Sequence, residues 1–123
     1  MRETIREIHE SDIRNGRPVV ANMVSGWSQA SDVVDILNVG LKPLGTSFPL
    51  SQYSDWIADF TRVTNQSHPV WGDLQTEVTR GCAEQLSAMI GVAPPTPIEP
   101  QQMKMMAYEI IASGARGLSL IHI

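Results

Sequence analysis

His68-Pro69-Val70-Trp71-Gly72-Asp73-Leu74-Gln75-Thr76-Glu77 is a short apolar run entered through proline and left through a carboxylate. It fits a buried β-strand with Gln75, Thr76 and Glu77 at its carboxyl end. Side chains alternate along a strand, so Asp73, Gln75 and Glu77 share one face. The other segments take their places around this one, as strands of the same kind or as helices that cover it.

Immediately upstream, Tyr53, Trp56, Ile57, Phe60 and Val63 recur at helical spacing and predict an amphipathic helix over 51–64. Ser51 is a suitable N-cap, with Leu50 before it as a staple residue. Farther back, Val33 to Gly40 and Val19 to Val24 are apolar runs without alternation. Such runs suit strands buried on both faces, as in a parallel sheet. The polar turn between them, from Ser25, is too short for a full crossover helix and reads as a stub. Leu41 to Ser47 is a loop. Residues 3–14 form a charged helix with Ile5, Ile8 and Ile13 as its apolar positions, stopped by Asn15-Gly16.

Downstream of Glu77, Cys82, Leu86, Met89 and Ile90 fall on one helical face, so 79–90 reads as a short helix closed by Gly91. Val92 to Pro100 holds four prolines and is an extended loop. Pro100 suits the first position of the next helix, over 100–113. Its face is traced by Met103, Met106, Ala107, Ile110 and Ile111, and Gly114 stops it. A fourth apolar strand begins at Ala115.

Strands that alternate with helices and are apolar throughout imply an α/β fold with a parallel sheet and right-handed crossovers. Four such strands are half of an eight-stranded barrel. A chain that starts in a helix and stops in a strand is expected to be a fragment, with the half barrel over 1–117 and a truncated last strand over 118–123. An open four-stranded sheet is the alternative.

The totals narrow the partners. The 123 residues are 42% hydrophobic and 18% charged, with a formal net charge of −4 and no basic cluster. That is a globular composition without the positive patch that nucleic acid or an anionic membrane would need. No run approaches the roughly 18 apolar residues of a membrane span, and Met1-Arg2-Glu3-Thr4 is a helix start rather than a signal peptide. Any export signal would lie upstream, so localisation stays unknown. The single cysteine, Cys82, excludes an internal disulfide and a Cys-based zinc site. His9, His68 and His122 offer no ligand spacing, so neither metal nor cofactor is expected.

Function in parallel α/β folds collects at the carboxyl ends of the strands. That rule selects Asn22 on the first strand with Trp27 in its loop, Asn38 on the second with Lys42 in its loop, and Gln75 and Glu77 on the third. These five besides Glu77 are the substrate-binding candidates, and Trp27 would offer a flat aromatic face or simply pack. Glu77 is the catalytic candidate, a carboxylate placed to act as nucleophile or general base. Its structural reading is that it accepts backbone N–H groups or pairs with Arg80. Asp35, His68 and Trp71 lie at strand entrances, the stability end. Asp73 reads as a buried acid satisfied by a polar group of a neighbouring strand, or as the mark of a misplaced strand register. Trp56 and Cys82 read as core, and Met103, Met105 and Met106 as gap-filling with one exposed member. Glycine-rich phosphate loops and a nucleophile elbow are both missing.

Several spaced motifs carry a resemblance. Arg17 to Asn22, Leu44-Gly45-Thr46-Ser47 with Tyr53 and Trp56, Pro69-Val70-Trp71 to Gln75-Thr76, and Glu99 to Met103 running on to Gly114-Ala115-Arg116-Gly117-Leu118 resemble the later strands of a glycoside-hydrolase-like TIM barrel. Such barrels occur in large bacterial proteins. The resemblance implies the C-terminal barrel half, strands five to eight, needing an N-terminal half and taking a carbohydrate substrate. It places Glu77 at the end of strand seven, where retaining relatives keep their nucleophile. The ending Leu118-Ser119-Leu120-Ile121-His122-Ile123 instead resembles translated sequencing-adaptor read-through.

A glycosidase needs two carboxyl groups, about 5–5.5 Å apart for retention or about 6.5–9.5 Å for inversion. Asp73 lies about 13 Å from Glu77 along an extended strand, so the partner carboxylate is expected in the other half. Two readings compete with hydrolysis: a non-catalytic barrel binding saccharide or protein through the same loops, and a free-standing α/β regulatory domain. By itself the chain is expected to be inactive.

Overall fold

Four strands form one sheet in the order β1-β2-β3-β4, and every adjacent pair is parallel. They are β1 (Val20–Met23), β2 (Ile36–Val39), β3 (Val70–Gln75) and β4 (Gly117–Ile121). Helix α1 (Arg2–Ser11) precedes β1, and α2 (Leu50–Val63) joins β2 to β3. Both α3 (Arg80–Ile90) and α4 (Pro100–Ala112) lie between β3 and β4. The computed structural model describes residues 2–12, 16–23, 34–64, 67–91 and 97–121. The alternating parallel order expected from the sequence is therefore present, with shorter strands than the apolar runs suggested.

Register and alternation assign the two faces of the sheet. Leu37, Val39, Val70 and Leu74 share one face and join Ile5 of α1, Tyr53, Ile57 and Phe60 of α2, and Met106 and Ile110 of α4 in a single core. Gly72 marks a close approach of α2 and α4 to the sheet. A Cβ there would lie 2.5 Å from Ile110 Cγ2 and 3.2 Å from Ile57 Cδ1. The opposite face carries Asn38, Trp71, Asp73 and Gln75, with Asn22, Gly117 and Ser119 beside them in register. Among the described residues three helices thus contribute to the core on one face, and the other carries the polar side chains together with Val20 and Ile36. Consecutive strands laid down in a single direction produce this arrangement, because each right-handed crossover returns its helix to the same side.

The helices depart from the expected stripes in detail. Tyr53, Ile57 and Phe60 are buried at i, i+4 and i+7, but Trp56 is 37% exposed and packs edge-on against Phe48, ring centroids 6.4 Å apart. It is a rim residue rather than core. Helix α2 starts one residue earlier than expected, with Pro49 instead of Ser51 at its N-cap. On α4, Met106 and Ile110 are buried and Met105 is exposed as expected, while Ile111 is 55% exposed. Ile8 is also exposed, so Ile5 alone anchors the described part of α1. Ile13 and Asn15 lie outside the described residues. The largest correction is α3: it has no buried residue, Met89 is 82% exposed, and Cys82 is only half-buried. Its apolar stripe finds no described partner in the core.

The expected stops are in place. Gly91 ends α3 with φ 71° and Gly114 follows α4 with φ 99°, a region that costs an L side chain but not glycine. Pro100 takes the first turn of α4, where the Gln102 Oε1 accepts the Glu99 N–H at 3.1 Å.

Candidate functional site

The carboxyl ends of β2 and β3 are tied together from both sides of the sheet. From the helix side, fully buried Tyr53 directs its hydroxyl to the carbonyls of Asp73, 3.0 Å away, and Val39, 3.3 Å away. Burial, then the Asp73 charge, hold the Tyr53 phenol well above its ordinary range. From the other face, Asn38 Nδ2 donates to Asp73 Oδ1 at 2.5 Å. Both side chains are almost fully buried. Asp73 is thus satisfied by the polar group of a neighbouring strand, as its place in an apolar run suggested. Helical spacing marks Tyr53 only as a core position, and its strand-bridging hydroxyl has no sequence signal beyond the choice of tyrosine over phenylalanine.

Gln75 ends β3 and spends its amide on backbone. Its Oε1 accepts the Leu44 N–H at 2.9 Å, and its Nε2 donates to the Leu44 carbonyl at 2.8 Å and to the Glu77 carbonyl at 2.9 Å. The side chain therefore staples the β2–α2 loop to the segment after β3. Both of its donors are committed to backbone, and the side chain shapes the loops at this end of the sheet.

Glu77 lies two residues beyond β3 instead of within it. Its backbone forms an isolated antiparallel bridge with Pro97, and the Ile98 N–H donates to the Thr76 carbonyl at 3.2 Å. The returning proline-rich segment thus fixes the backbone under Glu77. The carboxylate is half-buried, and no described residue gives it a hydrogen bond or ion pair. Arg80, its expected structural partner, pairs with Glu84 at 2.9 Å instead. Lys42, in the β2–α2 loop, is likewise half-buried with no acid in ion-pair contact among the described residues.

The remaining candidates separate. Asn22 is exposed at the end of β1 and its amide lies against Gly40, where a Cβ would sit 2.1 Å from Asn22 Oδ1. Asn38 is the buried partner of Asp73. Trp27 lies outside the described residues. The structure therefore brings Asn38, Gln75, Lys42 and Glu77 to the carboxyl ends of two adjacent strands, with Asp73 two residues inside β3. Asp35 stands at the entrance of the sheet as expected, with Oδ2 accepting the Val19 N–H at 2.7 Å. Among the described residues no three His, Cys, Asp or Glu side chains gather to hold a metal, and no helix is long and apolar enough to cross a membrane. Comparison with family models, curated proteins and solved structures yields no match.

Proposed function

We propose that this chain is half of a β/α barrel of glycoside-hydrolase type, with Glu77 as one of two carboxylates that cleave an O-glycosidic bond. The observation that carries the reading is the Glu77 carboxylate itself, half-buried and unpartnered among the described residues, just past the carboxyl end of a central strand. A carboxylate with no structural partner is free to act as nucleophile or base, and that end of a parallel sheet is where such groups work. Among the described residues the helices that pack in the core lie on one face of the sheet, which supports the barrel part. A sheet whose strands advance in one direction leaves its second face without helices, and curling into a closed ring is how eight such strands cover it. Four further β/α units would then supply the acid or base opposite Glu77.

The test is hydrolysis of aryl glycosides by the closed barrel, this chain joined to four further β/α units. Glu77→Gln should lower kcat at least about 10³-fold, the scale on which loss of a catalytic group is felt. Undiminished turnover by that variant would remove Glu77 from the mechanism. A non-catalytic saccharide-binding barrel is the second reading. It is favoured by one observation: no other acid among the described residues lies at or just past a strand's carboxyl end. A closed barrel that binds oligosaccharides and cleaves none would select it.

A further inference from the structure

The two edges of the sheet carry exposed apolar flanks that match each other. The order β1-β2-β3-β4 leaves β1 and β4 each paired on one side only. On β4, Leu120 stands beside Leu74 and so faces the helix side, yet it is 65% exposed. Helix α4 borders it. Met106 and Ile110 point into the core, and Glu109 turns toward α2, where its Oε2 accepts the Ser54 hydroxyl at 2.8 Å. The opposite flank of α4, with Ile111, Tyr108 and the Lys104 ammonium over the Tyr108 ring, therefore looks past β4. Ile111 and Tyr108 are both exposed.

At the other edge, Ile5 of α1 points into the core and His9 turns toward the entrance of β2, its Nε2 3.9 Å from Asp35 Oδ2. The opposite flank of α1, with Thr4, Ile8 and Ser11, looks past β1. Between that flank and Pro18 and Val19, which lead into β1, lies an open groove of about 590 Å³ with exposed Ile8 on its wall. The charges at the two edges differ in sign. Glu3 and Glu7 of α1 are exposed, as are Lys104 of α4 and Arg116 at the start of β4, and none of the four makes an ion pair among the described residues. One edge thus offers carboxylates around an apolar groove, and the other offers cations around an apolar ridge. Each suits the other better than it suits itself.

We propose that the partner at both edges is a second copy of this chain, docked head to tail. In that dimer β4 of each copy pairs in parallel with β1 of the other, and Ile8 of each copy packs against Ile111 and Tyr108 of the other. A single junction of this kind would leave one β1 and one β4 free and grow into a filament. Two junctions related by a two-fold axis use all four edges and close an eight-stranded ring. The proposal rests on the barrel part of the reading above, with the second copy as the four further β/α units, and depends neither on Glu77 nor on hydrolysis.

The test is sedimentation equilibrium of the full chain over a wide concentration range, which should show a dimer and nothing larger. Ile111→Asp should raise its dissociation constant at least about tenfold and leave the circular dichroism unchanged, because Ile111 is already exposed in the single chain. In a Cys82→Ser background, a chain with Ile8→Cys mixed with a chain with Ile111→Cys should be joined by a short bismaleimide, and neither should cross-link to itself. A wild-type monomer at every concentration, or growth past two copies, would overturn the proposal without any variant having to fold. Self-cross-linking of either single variant, or no cross-link in the mixture, would overturn it too, because like edges would then meet or the flanks would not. A closed dimer that cleaves no aryl glycoside leaves the docking standing and removes the hydrolase reading. Cleavage by a barrel completed with other units, while this chain stays monomeric, does the reverse.

Discussion

Tyr53 is the residue on which the two central strands depend most. Its hydroxyl serves carbonyls on both β2 and β3 from inside the core, where water cannot replace it. Tyr53→Phe should therefore cost about 1–2 kcal/mol in urea unfolding at neutral pH. The same residue sets a pH dependence. Its phenol is raised in the folded chain by burial and by Asp73, whereas in the unfolded chain it titrates at about 10. Proton binding thus favours the folded state, so this stability is complete below pH about 10 and is lost as pH rises toward the folded value. Urea midpoints should fall with rising pH across the alkaline range more for the wild type than for Tyr53→Phe. At this scale the candidate site was partly legible. Polar residues two apart in an apolar strand pointed to Asp73 as a buried acid with a cross-strand partner, and Asn38 is that partner. The commitment of Gln75 to Leu44 was not legible, because the two are 31 residues apart and meet only through a particular loop conformation.

Among the elements, β3 is clamped and α3 is not. Gly72 lets α2 and α4 close onto β3, and Gly72→Ala should destabilise the chain by about 1–3 kcal/mol in denaturant melts, since the new methyl meets the branched side chain of Ile110 rather than a yielding chain end. Helix α3 has no fully buried residue, so local opening there exposes less apolar surface than opening of α2 or α4. Its amides should exchange with deuterium faster than those of α2 and α4. Equal protection of all three helices would contradict the packing described here. These contrasts show why α2 and α4 were legible as elements while their buried arcs were overdrawn. Periodicity reports which residues could face a core, but burial depends on how much neighbouring surface exists. Trp56 and Ile111 sit at the margins of real helices where that surface runs out, and the whole stripe of α3 does.

For the molecule as a whole, the edges of the sheet are the informative feature. The edge strands β1 and β4 carry no charged residue and no proline, the usual guards of a free edge. Sedimentation should therefore show association that grows with protein concentration. A strictly monomeric chain with a cooperative thermal transition would count against the barrel half and for a self-sufficient α/β domain. The parallel order was legible because the first two strand runs lacked alternation, whereas closure was not, since open and closed parallel sheets share that pattern. The tyrosine bridge has one more consequence, for the order of events in time. Its two acceptors lie only 14 and 20 residues from Tyr53 along the chain, so β2, α2 and β3 can find one another with little loop entropy to overcome. That unit is expected to form the folding nucleus, with the edge strands condensing on it afterwards. Removing the hydroxyl should then slow refolding more than it speeds unfolding.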